Sequence, residues 1–181
     1  LVDFYKKNVV LTIAELHPNK GLVYLIEAIN SVVQQQPNTI CLIIGDGQDK
    51  EKLTEIIKIN NLTSKVFLTG RLDNASEYLK ASTVFVLPSI KEGLPYTILE
   101  SGMATLATVA TTVGGIPEIV EDMKSGILIQ PRNSKELAHA IAFMIEHPEE
   151  RKRYGNALKE RINDKFSFGK MIEENEGFYK L

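Results

Sequence analysis

Two glutamates with seven residues between them, Glu92 and Glu100, bracket the segment Gly93-Leu94-Pro95-Tyr96-Thr97-Ile98-Leu99. Pro95 suits the first turn of a helix, where a missing N–H costs nothing. Glu92 is therefore expected in the loop before that helix and Glu100 one to two turns inside it. The amides of Tyr96 and Thr97 then lack intrahelical partners and point into a cleft. Carboxylates accept hydrogen bonds from hydroxyls, and free amides at a helix start attract an anion. A sugar, a pyrophosphate and a ribose present such groups in that order. Taken alone, the same residues also fit a helix start that simply favours acidic side chains.

Three further turns carry residues of the right type. Lys20 precedes Gly21 and an apolar helical period. A lysine there can reach an anion held by free amides, or can be an ordinary surface lysine beside a glycine turn. His17, next to Pro18, reads as a capping or solvent-facing residue rather than a catalytic one. Gly45-Asp46-Gly47 allows backbone to approach a ligand. It is not a dinucleotide fingerprint: the third glycine position is Lys50, and the turn follows the second strand rather than the first. Gly114-Gly115, in Val113-Gly114-Gly115-Ile116-Pro117-Glu118, serves equally for close approach to a ligand or for a tight turn. The sequence contains no Walker-type phosphate loop and no Asp-x-Asp pair to hold a metal–pyrophosphate complex.

The elements that must position these residues follow from hydrophobic periodicity. Six apolar runs, Val9 to Ala14, Ile40 to Gly45, Val66 to Gly70, Val84 to Pro88, Ala107 to Thr111 and Gly126 to Ile129, are rich in β-branched residues. Most are continuously apolar, as expected of strands covered on both faces in a parallel sheet. Between them Leu22, Leu25, Ile26, Ile29, Val32 and Val33 recur at helical spacing. Leu53, Ile56 and Ile57 make a shorter stripe, and Leu137, Ile141, Met144 and Ile145 another. From Pro148 onward the chain is helical and strongly charged, which fits a solvated helix face better than a basic docking patch. Strand and helix alternate throughout. The expected fold is a Rossmann-like, doubly wound α/β domain of about six parallel strands with helices on both faces. In such a sheet ligands bind outside the carboxyl ends of the strands, where the turns above lie.

Composition narrows the classes. The chain has 181 residues, 44% hydrophobic, with a formal net charge of −2. That is enough for one domain, residues 1–181, with a substantial core. The balance of charge argues against nucleic acid as the main partner. The single cysteine, Cys41, lies in an apolar run, excludes an internal disulfide framework, and reads as a buried inert thiol. No apolar stretch reaches the ~20 residues of a membrane span, and no signal peptide is visible. A reducing, cytoplasmic setting is expected, with peripheral attachment at the inner membrane face open to a full-length protein. The chain begins at Leu1 and ends on the amphipathic Phe178-Tyr179-Lys180-Leu181, which suggests a piece of a longer protein.

Together these strings resemble the C-terminal, donor-binding domain of family 4 (group 1) glycosyltransferases. They are Lys20-Gly21, Ile43 to Gly47, Leu87 to Ser89, Glu92 to Glu100, Val113 to Val120 and the tail around Phe166 to Phe168. They run in family order over nearly the whole chain. The resemblance implies the B-type architecture of two Rossmann-like domains facing a cleft, with the acceptor domain absent here. It implies a nucleotide-diphosphate-sugar donor and transfer with retention, probed against a saccharide, lipid-linked or other acceptor held by the N-terminal domain, in polysaccharide or glycoconjugate synthesis. Under it, Glu92 contacts the transferred sugar and supports the reacting centre. Glu100 accepts from the ribose hydroxyls, and Lys20 with the Tyr96 and Thr97 amides stabilises the departing pyrophosphate. Arg71 and Leu72 line the base pocket, and Gly45, Gly47, Gly93 and Leu94 complete the binding wall. It implies no metal and no other cofactor, the cations being supplied by lysine and helix amides.

Two features, covering three positions, depart from the family pattern. Glu15 stands where the family commonly has a phosphate-binding Arg, so it is expected either to turn away or to be compensated by a cation such as Lys91. Thr105 and Ala107 replace the usual Gly and Pro before the fifth strand, which is expected to stiffen or reshape that turn. A nucleotide-sugar-binding module without transfer activity, or a sugar-nucleotide epimerase of similar fold, are the competing readings. The isolated piece is expected to bind a donor weakly and to transfer nothing.

Overall fold

A computed structural model describes residues 7–166. Six strands form one parallel sheet: β1 (Asn8–Ile13), β2 (Thr39–Ile44), β3 (Val66–Gly70), β4 (Val84–Leu87), β5 (Thr108–Thr111) and β6 (Ile127–Ile129). Their order is β3-β2-β1-β4-β5-β6, every neighbouring pair parallel. The chain thus builds outward from β1 in one direction, then returns to add β4 on its other side. That reversal, between β1 and β4, is the topological switch point.

The continuous apolar runs have a direct cause. Side chains alternate across a strand with period two. Val84 and Val86 of β4 pack into one core layer, Phe85 and Leu87 into the other. Val10 and Leu11 of β1 divide in the same way, as do Val109 and Ala110 of β5. Both faces are buried, so neither set is polar. The edge strands are the exceptions: only Val66 of β3 and Ile129 of β6 are buried.

Helices cover both faces. On one side lie α1 (Leu22–Gln35), α2 (Lys50–Ile59) and α5 (Ser134–Glu146), with Leu25, Ile29, Leu53 and Ile141 facing the sheet. On the other lie α3 (Tyr96–Met103), α4 (Ile116–Ile119) and α6 (Pro148–Lys165), with Ile98, Ile116, Leu158 and Ile162 inward. Each fully buried aliphatic contributes about 1.5–3 kcal/mol. Asn133 caps α5 by accepting from the Glu136 amide, while Glu136 accepts from the Gln130 amide, which fixes the entry from β6. The charged stretch after Pro148 is a helix with Tyr154, Leu158 and Ile162 on its buried face. The unshielded interior pushes the Cys41 thiol pKa upward, consistent with an inert group.

Several boundaries differ from sequence expectation. Pro95 is the residue before α3 rather than part of its first turn. The short helix α4 and two 3-10 segments, Pro18–Lys20 and Ala75–Ala81, carry too few periodic residues to register in a hydrophobic pattern. The expected tail motif beyond Phe166 and the amphipathic end at Phe178 to Leu181 lie outside the described residues.

Candidate functional site

Five loops leave the carboxyl ends of β1 to β5, and backbone contacts tie those after β1, β2, β4 and β5 into one rim. The β1 loop seats on the β4 loop: Asn19 O accepts from the amides of Ile90 (2.7 Å) and Lys91 (3.3 Å). Gly21, at φ 62°, lies so close that a Cβ would meet Pro88 O at 2.1 Å. The β5 loop seats on the same segment from the far side, with the Gly115 amide donating to Gly93 O (2.7 Å). Gly114, at φ 55°, has room for no side chain, because a Cβ would stand 2.1 Å from Glu92 O. The β2 loop packs on the β1 loop in turn: the Leu16 amide donates to Asp46 O (3.0 Å) and the Asp49 amide to Leu16 O (2.9 Å).

This interlock brings Lys20 and Glu92 together across the switch point. Lys20 ends the 3-10 segment after β1, where His17 Nδ1 accepts from the Asn19 amide (3.1 Å) as a cap. Its Nζ donates to Glu92 Oε1 at 2.6 Å. The Glu92 side chain is only 8% exposed, that of Lys20 24%. Ser89, fully buried at the end of β4, donates its hydroxyl to the same Oε1 at 2.7 Å. The Ser89 carbonyl is pinned to β5 by the Thr111 hydroxyl (2.7 Å). A nearly buried carboxylate is thus held by a cation in front and a neutral donor behind.

Two adjoining cavities open here, and the pair walls the smaller of them. One, of about 570 Å3, is walled by Ile13, Ala14, Glu15, Gly45, Asp46, Arg71, Leu72 and Thr97, among others. The second, of about 350 Å3, includes Lys20, Glu92, Leu94, Pro95, Tyr96 and Thr97. Ile13, Ala14, Glu15 and Thr97 belong to both, so the two form one cleft with a shared middle. The first turn of α3 faces that middle and has no side-chain cap, leaving its leading amides for a ligand. Tyr96 (75% exposed) and Leu94 (41% exposed) stand at the mouth.

Most residues expected from sequence lie in these walls: Lys20, Gly45, Arg71, Leu72, Glu92, Leu94, Tyr96 and Thr97. Glu100 does not line either cavity; it is exposed on α3 one turn beyond Thr97, on the same helix face. Gly93 contributes its carbonyl to Gly115. Gly47 has a packing reason, since a Cβ there would stand 2.6 Å from Leu16 O. Glu15 walls both cavities and, among the described residues, forms no ion pair, whereas Lys91 lines neither. The turn before β5 keeps a left-handed residue at position 105, φ 61°, although a threonine occupies it.

Two residues at the site, Ser89 behind Glu92 and Asp46 in the cavity wall, escaped the sequence reading. Ser89 appeared only as part of the Leu87 to Ser89 string; it stands three residues before Glu92, the spacing of a capping box, but here the hydroxyl donates directly to the carboxylate instead of the two side chains bonding each other's backbone amides. Asp46 appeared only within a glycine turn. Its Oδ1 accepts from the Gly47 amide (2.9 Å) and its Oδ2 from Lys50 Nζ (3.2 Å). The amide bond first, and Lys50 second, hold its carboxyl below the usual aspartate range. Among the described residues no group of three or more His, Cys, Asp and Glu side chains converges as a metal cage would.

An all-parallel sheet of this order, with its cleft at the switch point and a lysine beside an uncapped helix start, defines a Rossmann-like α/β domain of the B-type glycosyltransferase fold. Over residues 3–161 the sequence matches the family described as glycosyl transferases group 1, and the chain belongs to that family. It is 34% identical over 196 aligned positions to an uncharacterized glycosyltransferase of Methanocaldococcus jannaschii, covering 92% of this chain and 48% of that protein. A TarM variant of S. aureus, solved with fondaparinux, alpha-GlcNAc-glycerol and UDP, superimposes with a TM-score of 0.91 at 25% identity. That match covers 97% of this chain and 36% of TarM. The C-terminal domain of a group 1 glycosyl transferase from Francisella tularensis shares the fold, with a TM-score of 0.80 at 23% identity over 90% of this chain and 87% of that one. This chain spans about half the length of the curated relatives it matches. The family is that of the transferases, which sets the epimerase reading aside.

Proposed function

We propose that this chain is the donor-binding half of a two-domain glycosyltransferase. It takes a nucleotide-diphosphate-sugar and, with an N-terminal acceptor domain, passes the glycosyl group to a saccharide, lipid-linked or other acceptor with retention, in polysaccharide or glycoconjugate synthesis. The observation that carries this reading is the Lys20–Glu92 pair at the switch point, in the wall of the smaller of two adjoining cavities that share the uncapped start of α3. UDP in the TarM structure supports a uridine nucleotide as the first ligand to try.

The chemistry follows from the wall residues. The larger cavity takes the base and ribose, against Arg71 and Leu72, with Glu100 reaching the ribose hydroxyls from above Thr97. The diphosphate lies in the shared middle, where Lys20 and the Tyr96 and Thr97 amides offset the charge that grows as it departs. The smaller cavity takes the sugar, and Glu92 accepts from its hydroxyls and stabilises positive charge at the anomeric carbon. No resident metal is assigned, since lysine and amides supply the cationic groups. A cytoplasmic location is part of the same proposal; among the described residues no helix is long and apolar enough to cross a membrane.

One observation favours a second reading, a binding module without transfer. Glu15 walls both cavities, and a carboxylate turned into their shared middle would repel an anionic diphosphate. The test is a thermal-shift panel of UDP-, GDP- and ADP-sugars, followed by nucleotide-release assays with acceptors. A donor at a hundred times its dissociation constant adds ~2.7 kcal/mol of stability. No shift with any of them sinks the donor reading; binding without turnover by the two-domain protein selects the module. Robust acceptor-dependent turnover by this chain alone overturns its assignment as half of the enzyme.

A further inference from the structure

Ser89 is a fully buried hydroxyl whose partner is the carboxylate of Glu92, and that carboxylate uses a single oxygen for both of its bonds. Oε1 accepts from Lys20 Nζ at 2.6 Å and from Ser89 Oγ at 2.7 Å. Among the described residues Oε2 receives no hydrogen bond and is left for the cavity that Glu92 helps to wall. The two donors differ in mobility. Lys20 is a long side chain, partly exposed, that walls the same cavity. Ser89 has one rotatable bond, no exposure, and a carbonyl tied to Thr111.

An incoming diphosphate carries more charge than Glu92 and competes for Lys20. When Lys20 turns to it, Glu92 keeps one bond only, the one from Ser89. A nearly buried carboxylate without a partner is costly and takes whatever position finds it a donor. We infer that Ser89 is a positioning residue, whose hydroxyl holds Glu92 Oε1 so that Oε2 stays aimed at the sugar after Lys20 has been drawn to the diphosphate. This rests on the donor-site reading above and adds to it the residue that makes the Glu92 geometry independent of Lys20.

The test compares two ligands that differ only in the sugar. Titration calorimetry with UDP and with UDP-N-acetylglucosamine or UDP-glucose is run on the chain and on Ser89→Ala. Hydrogen bonds to charged groups are worth enough to change affinity roughly tenfold or more. The expected result is a loss of that size for the UDP-sugar, with affinity for UDP changed by less than about twofold on the same basis. In a Glu92→Gln background the substitution should cost the UDP-sugar nothing further. A merely structural serine would weaken both ligands alike or neither, and either result overturns the proposal. A thermal-unfolding cycle of Ser89→Ala with Glu92→Gln gives a ligand-free check: Tm shifts that simply add also overturn it. Failure of the unmodified chain to bind any nucleotide or nucleotide-sugar sinks the donor reading itself, a result distinct from intact binding whose preference for the sugar survives Ser89→Ala.

Discussion

Lys20 and Glu92, 72 positions apart in sequence, meet at 2.6 Å over the point where the sheet reverses direction. The two neutralise each other. If the cleft takes a nucleotide-sugar as proposed, binding exchanges this internal ion pair for contacts to diphosphate and sugar, and affinity reports the difference between them.

Replacing Lys20 tests that exchange. Lys20→Met removes the cation and leaves Glu92, 8% exposed, with Ser89 alone. UDP affinity should fall roughly tenfold or more, as for loss of a charge-assisted bond. The melting temperature should also drop. Titration calorimetry and thermal unfolding separate the two effects; unchanged UDP affinity removes Lys20 from the site.

Glu15→Arg should act in the opposite sense. Glu15 walls both cavities, so the substitution exchanges a repelling charge for a guanidinium that can fork onto phosphate. UDP should bind several-fold more tightly, and the gain should shrink as salt is raised. Equal affinity at low and high salt would mean that the ligand's charge lies elsewhere.

Glu100→Ala addresses the one expected contact that the cavity walls do not include. If ribose hydroxyls lie above Thr97, affinity for UDP and UDP-sugars should fall together, by roughly tenfold. A normal titration of the variant assigns the ribose to other groups.

Position 105 offers a stability test away from the site. A threonine at φ 61° bears a left-handed strain of about 1–2 kcal/mol. Glycine removes it at a cost in chain entropy of about 0.5–1 kcal/mol. Thr105→Gly should therefore raise stability by up to ~1 kcal/mol, seen as about 2–4 °C in Tm for a chain of this size. A fall in Tm would mean that the threonine side chain contributes packing that outweighs the strain.

Acid should loosen the β2 loop through Asp46. Its folded-state pKa lies below the unfolded value, so its stabilising contribution is complete above the ordinary aspartate range and is lost as pH falls through the depressed value. Asp46→Asn should narrow the difference in stability between neutral pH and about pH 3, near and below the ordinary carboxylate range. Urea unfolding at both pH values reads it; an unchanged difference places the acid sensitivity at other carboxylates.

The sheet was legible because β-branched apolar runs bounded by polar residues have few alternatives at lengths of four to six. The longer helices were legible for the same kind of reason: Leu22 to Val33 repeats its apolar face three times, whereas Ile116–Ile119 completes barely one turn. Local spacing also marked the start of α3 and so Glu92. It carried no information on the partner of Glu92, because that contact is set by the order of strands, which periodicity leaves undetermined. Nor did it separate the two uses of glycine. Gly114 was equally a ligand-facing or a packing residue until Glu92 O was seen against it.

The carbonyls that sit against Gly21, Gly45 and Gly114 bear on how such a cleft can be re-engineered. Pro88 O, Ala14 O and Glu92 O each occupy the volume that a side chain would fill on a neighbouring loop. A chimaera that imports only the loop after β1 or after β4 therefore meets foreign backbone at two seams, and one that imports only the loop after β2 or β5 at one. If the proposed donor site holds, its preference is better altered by exchanging side chains such as Arg71 or Leu94 in place, or by transplanting the loops after β1, β2, β4 and β5 as a single woven unit.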